Sequence, residues 1–332
     1  MREQLAEYLR AQMPDAHELA VTALERKSGG ASRETWEFTA RWMRDGQAVE
    51  GAFILRRDPT GSLLESDRER EFFVLNALHD SGIPVPKMYW LERTGQWLER
   101  PFFVMERVPG TAPVGTFPPG YSESVQVRVT EQFIDILARI HRLDWRAYGF
   151  DRLGVPGAGV DAARTQVAHW QRIYRQERLE VHPLLERAFA WLAAHAPTSD
   201  RTTLVHGDYR SGNYLFTDDG TITAMLDWEM VHLGDPMEDL GWACMPFWSG
   251  RGLAVGLTSR SDLLQRYATI SGFPVDEQRV FFYEILGTVK MTVIALTGVR
   301  TFCTGKTREV SLPLVAFLIP RLLRDIAEYL GW

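Results

Sequence analysis

Cysteine is nearly absent from the chain. The two that occur, Cys244 and Cys303, stand far apart and match no metal or redox spacing. Both are expected as buried thiols in a reducing compartment. A basic excess is also missing: 37 Lys and Arg face 43 Asp and Glu, a net charge of −6. That balance argues against a nucleic-acid partner, which calls for a basic face. No repeat or low-complexity linker interrupts the 332 residues. Long apolar runs are lacking too. Met1-Arg2-Glu3-Gln4 opens an amphipathic helix rather than a signal peptide. The most apolar stretch, Ile285 to Val299, is broken by Lys290 and falls short of a bilayer's thickness. These absences together give the expectation of a cytoplasmic protein that engages neither membrane nor nucleic acid.

What remains is the composition of a globular protein, 45% hydrophobic and 24% charged, with length for one large or two ordinary domains. The pattern changes character along the chain. Trp36, Phe38, Ala40 and Trp42 alternate with Glu37, Thr39 and Arg41, the period of a half-buried strand. Asp45-Gly46 then reads as a hairpin turn into a strand over Ala52 to Arg57. Ser66-Asp67-Arg68-Glu69 is a capping-box start, followed by Phe72, Leu75 and Leu78 at helical spacing. Strands are expected again over Lys87 to Leu91 and Phe102 to Glu106. Beyond residue 120 the periodicity is helical: Phe133, Ile136, Leu137, Ile140 and Leu143 mark one long helix, 162–195 two more, and the last fifty residues further ones. The predicted fold class is therefore α+β: an antiparallel sheet with one inserted helix over 1–107, then a mainly helical part over 108–332.

Polar chemistry concentrates in Leu204-Val205-His206-Gly207-Asp208-Tyr209-Arg210-Ser211-Gly212-Asn213-Tyr214-Leu215-Phe216, followed by Ala224-Met225-Leu226-Asp227-Trp228-Glu229. Each unit sets polar groups beside short apolar runs, as in a loop flanked by strands. Phosphoryl transfer needs an acceptor for a hydroxyl proton and oxygen ligands for magnesium. Asp208 can be the first, Asn213 and Asp227 the second.

These motifs resemble the aminoglycoside phosphotransferase and choline kinase group, relatives of the protein kinases. His206, Asp208 and Asn213 keep the spacing of the kinase catalytic loop H-R-D-x-x-x-x-N, with Gly207 in the arginine position. Asp227 corresponds to the metal-binding Asp of D-F-G, with Trp228-Glu229 in place of Phe-Gly. The resemblance implies a two-lobed protein-kinase-like fold using ATP and Mg2+. Ser28, Gly29 and Gly30 would cover the phosphates. Phe53-Ile54-Leu55-Arg56 lies where kinases carry V-A-I-K, so Ile54 would roof the adenine and Arg56 reach the phosphates. Glu71 would pair with Arg56, with Glu69 as its competitor. The backbone of Glu106 and Val108 would meet the adenine edge, and Arg210 the γ-phosphate.

Other readings compete. The same resemblance leaves open a catalytically inactive nucleotide-binding regulator, whereas a protein kinase is disfavoured because no activation segment follows Asp227. For the acceptor it offers aminoglycosides, amino alcohols and hydroxyacyl-CoA metabolites. Leu55-Arg56-Arg57-Asp58-Pro59 and the 206–213 loop look most like the branch fused to acyl-CoA dehydrogenases, and residues 241–332 show no dense acidic run for a polycation. His206 is expected to hold the loop, Asp235 to cap a helix and Asp239 to act as a buried acceptor. Trp242, Phe247 and Trp248 are expected as core rather than pocket. His141, His169, His182 and His195 show no ligand spacing and read as surface or satisfied helix residues.

Overall fold

A computed structural model describes residues 1–27, 34–58, 67–113, 117–157, 161–249 and 252–332. The first part is a five-stranded antiparallel sheet of order β1-β2-β3-β5-β4. Its strands are β1 (His17–Lys27), β2 (Glu34–Arg44), β3 (Gln47–Arg57), β4 (Met88–Glu92) and β5 (Phe102–Glu106). Asp45 and Gly46 take φ of 51° and 74°. Two successive positive values give the turn that matches strand twist, and it fixes the register Arg44↔Gln47.

Alternation along the strands divides the sheet into two faces. Phe38, Ala40, Phe53, Leu55, Phe102 and Val104 form one cluster with Leu5, Tyr8 and Leu9 of α1 (Arg2–Gln12). Phe103 and Met105 point the other way and join Val74, Leu75 and Leu78 of α2 (Arg68–Leu78) in the large core. Arg56, opposite Phe103 in the register, shares that second face. Asp67 caps α2 by accepting the Arg70 N–H at 3.1 Å, one residue later than the expected Ser66 cap, and Ser66 itself lies outside the described residues.

The second part is mainly helical: α3 (Glu123–Arg142), α4 (Asp161–Glu177), α5 (Pro183–Ala194), then α6 (Met237–Cys244), α7 (Arg260–Ser271), α8 (Glu277–Cys303), α9 (Ser311–Leu314) and α10 (Ile319–Leu330). Between α5 and α6 run four short strands, β6 (Thr203–Val205), β7 (Tyr214–Phe216), β8 (Ile222–Met225) and β9 (His232–Gly234). They pair as two antiparallel ribbons, β6 with β9 and β7 with β8.

Two expectations need correction here. The apolar run around Lys290 belongs to α8, which at 27 residues is long and apolar enough to cross a bilayer by length and composition. In this fold 89% of its most apolar window is buried inside the protein, so it acts as a central core helix. Cys244 is buried as expected, but Cys303 is exposed, because the last turn of α8 leaves the core.

Candidate active site

The segment 206–213 is the loop between β6 and β7, and Asp227 follows β8. The two ribbons bring these stretches together: the Leu226 N–H donates to the Asn213 carbonyl at 2.8 Å, continuing the β7–β8 ladder. Backbone shape in the loop depends on glycine. Gly207 sits at φ 83°, and a Cβ there would lie 2.6 Å from the Met230 carbonyl oxygen.

Asp208 is buried at the centre of the loop. Its Oδ1 accepts from Arg210 Nε at 3.0 Å and from Trp242 Nε1 at 2.8 Å. Its Oδ2 accepts from Asn213 Nδ2 at 2.6 Å. Burial pushes the Asp208 carboxyl above the ordinary aspartate value; Arg210 opposes that and the nearby Asp227 adds to it. His206 donates from Nε2 to the Leu226 carbonyl at 3.0 Å, while Nδ1 accepts the Asp208 N–H at 3.2 Å. That pair of bonds defines a neutral ring, and burial, partly offset by nearby acidic groups, lowers its pKa in agreement. His206 therefore braces the loop.

Asp239, on α6, fixes the loop from below. Its two oxygens accept the N–H groups of His206 and Gly207, each at 2.8 Å, and His141 Nε2 at 3.1 Å. His141 is thus a buried, satisfied helix residue, its other nitrogen bonded to the Tyr267 hydroxyl at 2.7 Å. Asp235 accepts the Met237 N–H at 2.9 Å and the Arg279 guanidinium at 2.8 Å, capping the start of α6 from just outside it.

Arg56 links β3 to α2 and to the stretch after β8. Its guanidinium donates to Glu71 on α2 at 2.7 Å and to Asp227 at 3.0 Å. Glu69 points elsewhere and pairs with Arg93. Asp227 has φ 64° and ψ 59°; burial raises its carboxyl, but the Arg56 guanidinium outweighs this and holds it below the ordinary range. Ile54 is half-buried two residues before Arg56 on the same face. The Glu106 N–H donates to the Lys87 carbonyl at 2.8 Å, and Val108 is half-buried just past β5. Ser28, Gly29 and Gly30 lie outside the described residues, between the paired ends of β1 and β2 at Lys27↔Thr35.

The donor set suits magnesium. Asn213 spends its amide N–H groups on Asp208, leaving its carbonyl oxygen, and one oxygen of Asp227 is unbonded among the described residues. No group of three or more His, Cys, Asp or Glu converges among those residues. A cation here would rest on two oxygen donors and draw its other ligands from phosphate and water, as magnesium does.

The aromatic expectation is corrected in part. Trp242 is buried, yet its indole N–H ends on Asp208. Trp248 is half-buried and stacks under the Arg210 guanidinium at 4.5 Å, and Phe247 under Arg321 at 5.6 Å. Trp242 thus touches Asp208 directly and Trp248 reaches it through Arg210, whereas Phe247 is shown only against Trp248 and Arg321. Lys290 is a site neighbour that periodicity missed: its Nζ donates to the Gly207 carbonyl at 2.7 Å. The available signal was a single charge inside an apolar run.

A model of the phosphotransferase enzyme family matches residues 24–273. The chain belongs to that family. Mouse acyl-CoA dehydrogenase family member 10 is 36% identical to this phosphotransferase-family chain over 198 residues, which is 59% of the chain but 18% of the mouse protein. Among solved structures, a Ralstonia eutropha protein provisionally assigned as an aminoglycoside phosphotransferase superposes with a TM-score of 0.75 at 25% identity, covering 98% of this chain and 97% of that one. An aminoglycoside phosphotransferase APH(4)-Ia variant, solved as a ternary complex with AMP-PNP and hygromycin B, shares the fold at a TM-score of 0.58 and 16% identity, covering 97% and 98%.

Proposed function

We propose that this phosphotransferase-family chain transfers the γ-phosphoryl group of ATP to a hydroxyl of a small molecule, with Mg2+. The observation that carries the reading is the convergence of Asp208, Asn213, Asp227 and the Arg56–Glu71 pair on one cleft, from four separate stretches of sequence. On this reading 1–107 cradles the nucleotide and 108–332 supplies catalysis and acceptor binding. Ile54 and the 28–30 segment cover the nucleotide, with the backbone at Glu106 and Val108 along the adenine. Magnesium held by Asn213 and Asp227 would neutralise the developing charge on the transferred phosphate.

Asp208 orients the acceptor hydroxyl and accepts its proton as the new oxygen–phosphorus bond forms and the bond to ADP breaks. Both sites on Oδ1 are taken by Arg210 and Trp242, and one on Oδ2 by Asn213. The remaining site on Oδ2 is where the proton goes. Arg56 and Arg210 supply fixed positive charge for the phosphates, which contributes most in a cleft that excludes water. Asp208→Asn should retain Mg-ATP affinity by calorimetry while ADP release with acceptor falls at least 100-fold. Full activity in that variant would sink the reading. Nucleotide binding with no transfer to any acceptor, in the unaltered protein, would favour the inactive regulator.

For the acceptor, we infer a hydroxylated acyl-CoA metabolite. The match to part of an acyl-CoA dehydrogenase family member supports an acyl substrate. Arg210, bonded to Asp208 and lying over Trp248, puts a cation beside the site, which suits an anionic acceptor better than a polycationic aminoglycoside.

A further inference from the structure

Two buried groups outside the expected motif set touch the catalytic loop. Trp242 projects from α6 and Lys290 from α8, each only 2% exposed. Lys290 Nζ lies 4.5 Å from the centre of the Trp242 ring, 3.7 Å from Glu238 Oε1 and 2.7 Å from the carbonyl oxygen of Gly207, the residue before Asp208. Glu238 is itself bonded to His232 at 3.1 Å. Burying an ammonium in a core helix is unfavourable unless it is paired and hydrogen-bonded. Here it satisfies a loop carbonyl and lies against the face of an indole whose N–H ends on Asp208 Oδ1 at 2.8 Å.

We propose that Trp242, backed by Lys290, is a positioning residue for the phosphotransferase reaction: it occupies Oδ1 of Asp208 so that Oδ2 alone is presented to the acceptor hydroxyl. The inference rests on the kinase reading above. A carboxylate has two equivalent oxygens and about four acceptor sites; without the indole, one site on Oδ1 opens and the carboxylate can rotate between partners. The cation against the ring draws electron density from the indole and strengthens its N–H as a donor. Lys290 fixes the backbone at Gly207, so the same two helices set both the position and the rotation of the Asp208 side chain. A buried indole also needs some acceptor simply to be satisfied, so the test must read catalysis rather than folding alone.

Trp242→Phe keeps the ring and removes the donor. We expect kcat to fall about tenfold, the scale of one charge-assisted hydrogen bond, with KM for Mg-ATP changed less than twofold. An unchanged kcat would overturn the proposal. Indole-15N-labelled protein gives a readout that needs neither turnover nor the Phe variant. One of the eleven tryptophan indole N–H resonances should move in Asp208→Asn. If none moves, the bond is absent and the proposal fails, whatever the enzyme does. If one moves but no acceptor is ever phosphorylated, the contact stands, and both the kinase reading and the catalytic role of Trp242 fall.

Discussion

Asp208 shows how far residue identity carries the chemistry and where surroundings take over. Its spacing to Asn213 and Asp227 was readable because the proposed phosphoryl transfer calls for those groups in that order. Its partners Trp242 and Lys290 were not, since they come from helices whose apolar periodicity suits any core. Arg56 differs again: β-strand alternation placed it beside Ile54, but only the fold brings Glu71 and Asp227 within reach of one guanidinium. A planar fork can serve two carboxylates at once where an ammonium would give a point charge. The pH dependence follows from Asp208. In the proposed mechanism protonation would remove its capacity to take the hydroxyl proton, and burial raises its pKa above the ordinary aspartate value of about 3.9. Activity should therefore be level at higher pH and fall as pH drops through a midpoint above that value. A kcat profile level down to pH 4 would contradict this assignment.

At the scale of elements, the site depends on short pieces held by long ones. The four strands from β6 to β9 have three or four residues each, too short to be stable alone. They hold because Asp239 on α6 accepts two loop N–H groups and Lys290 on α8 takes a loop carbonyl. Such brief strands give little periodic signal, and for that reason the sequence showed the loop's polar residues more clearly than its frame. The long sheet strands, by contrast, announced themselves through alternation, and the Asp45-Gly46 turn through its chemistry. Gly207 is the point where the frame is least forgiving. Gly207→Ala imposes a side chain at φ 83° and a contact of 2.6 Å with the Met230 backbone. It should destabilise the protein by about 2 kcal/mol, read in urea unfolding, and lower kcat with it. Unchanged stability would mean that the loop is held less rigidly than these contacts require.

For the molecule as a whole, the division into a sheet part and a helical part was legible from the change to helical period after residue 120. The length of α8 was not: Lys290 read as a break in an apolar run, whereas in the fold it is a buried contact within one continuous 27-residue helix. The proposed acceptor was the least legible feature, because no sequence period encodes the shape of a substrate pocket. Transfer of phosphate to a hydroxyl is open to a direct isotope test. The protein would be incubated with magnesium and ATP carrying 18O in its γ-phosphate, together with hydroxyacyl-CoAs, aminoglycosides and choline. The account predicts a labelled phosphate on the hydroxyl of one acceptor class, one ADP per phosphate transferred, and loss of the label with Asp208→Asn. ATP left intact with every acceptor, or label released only as inorganic phosphate, would contradict it.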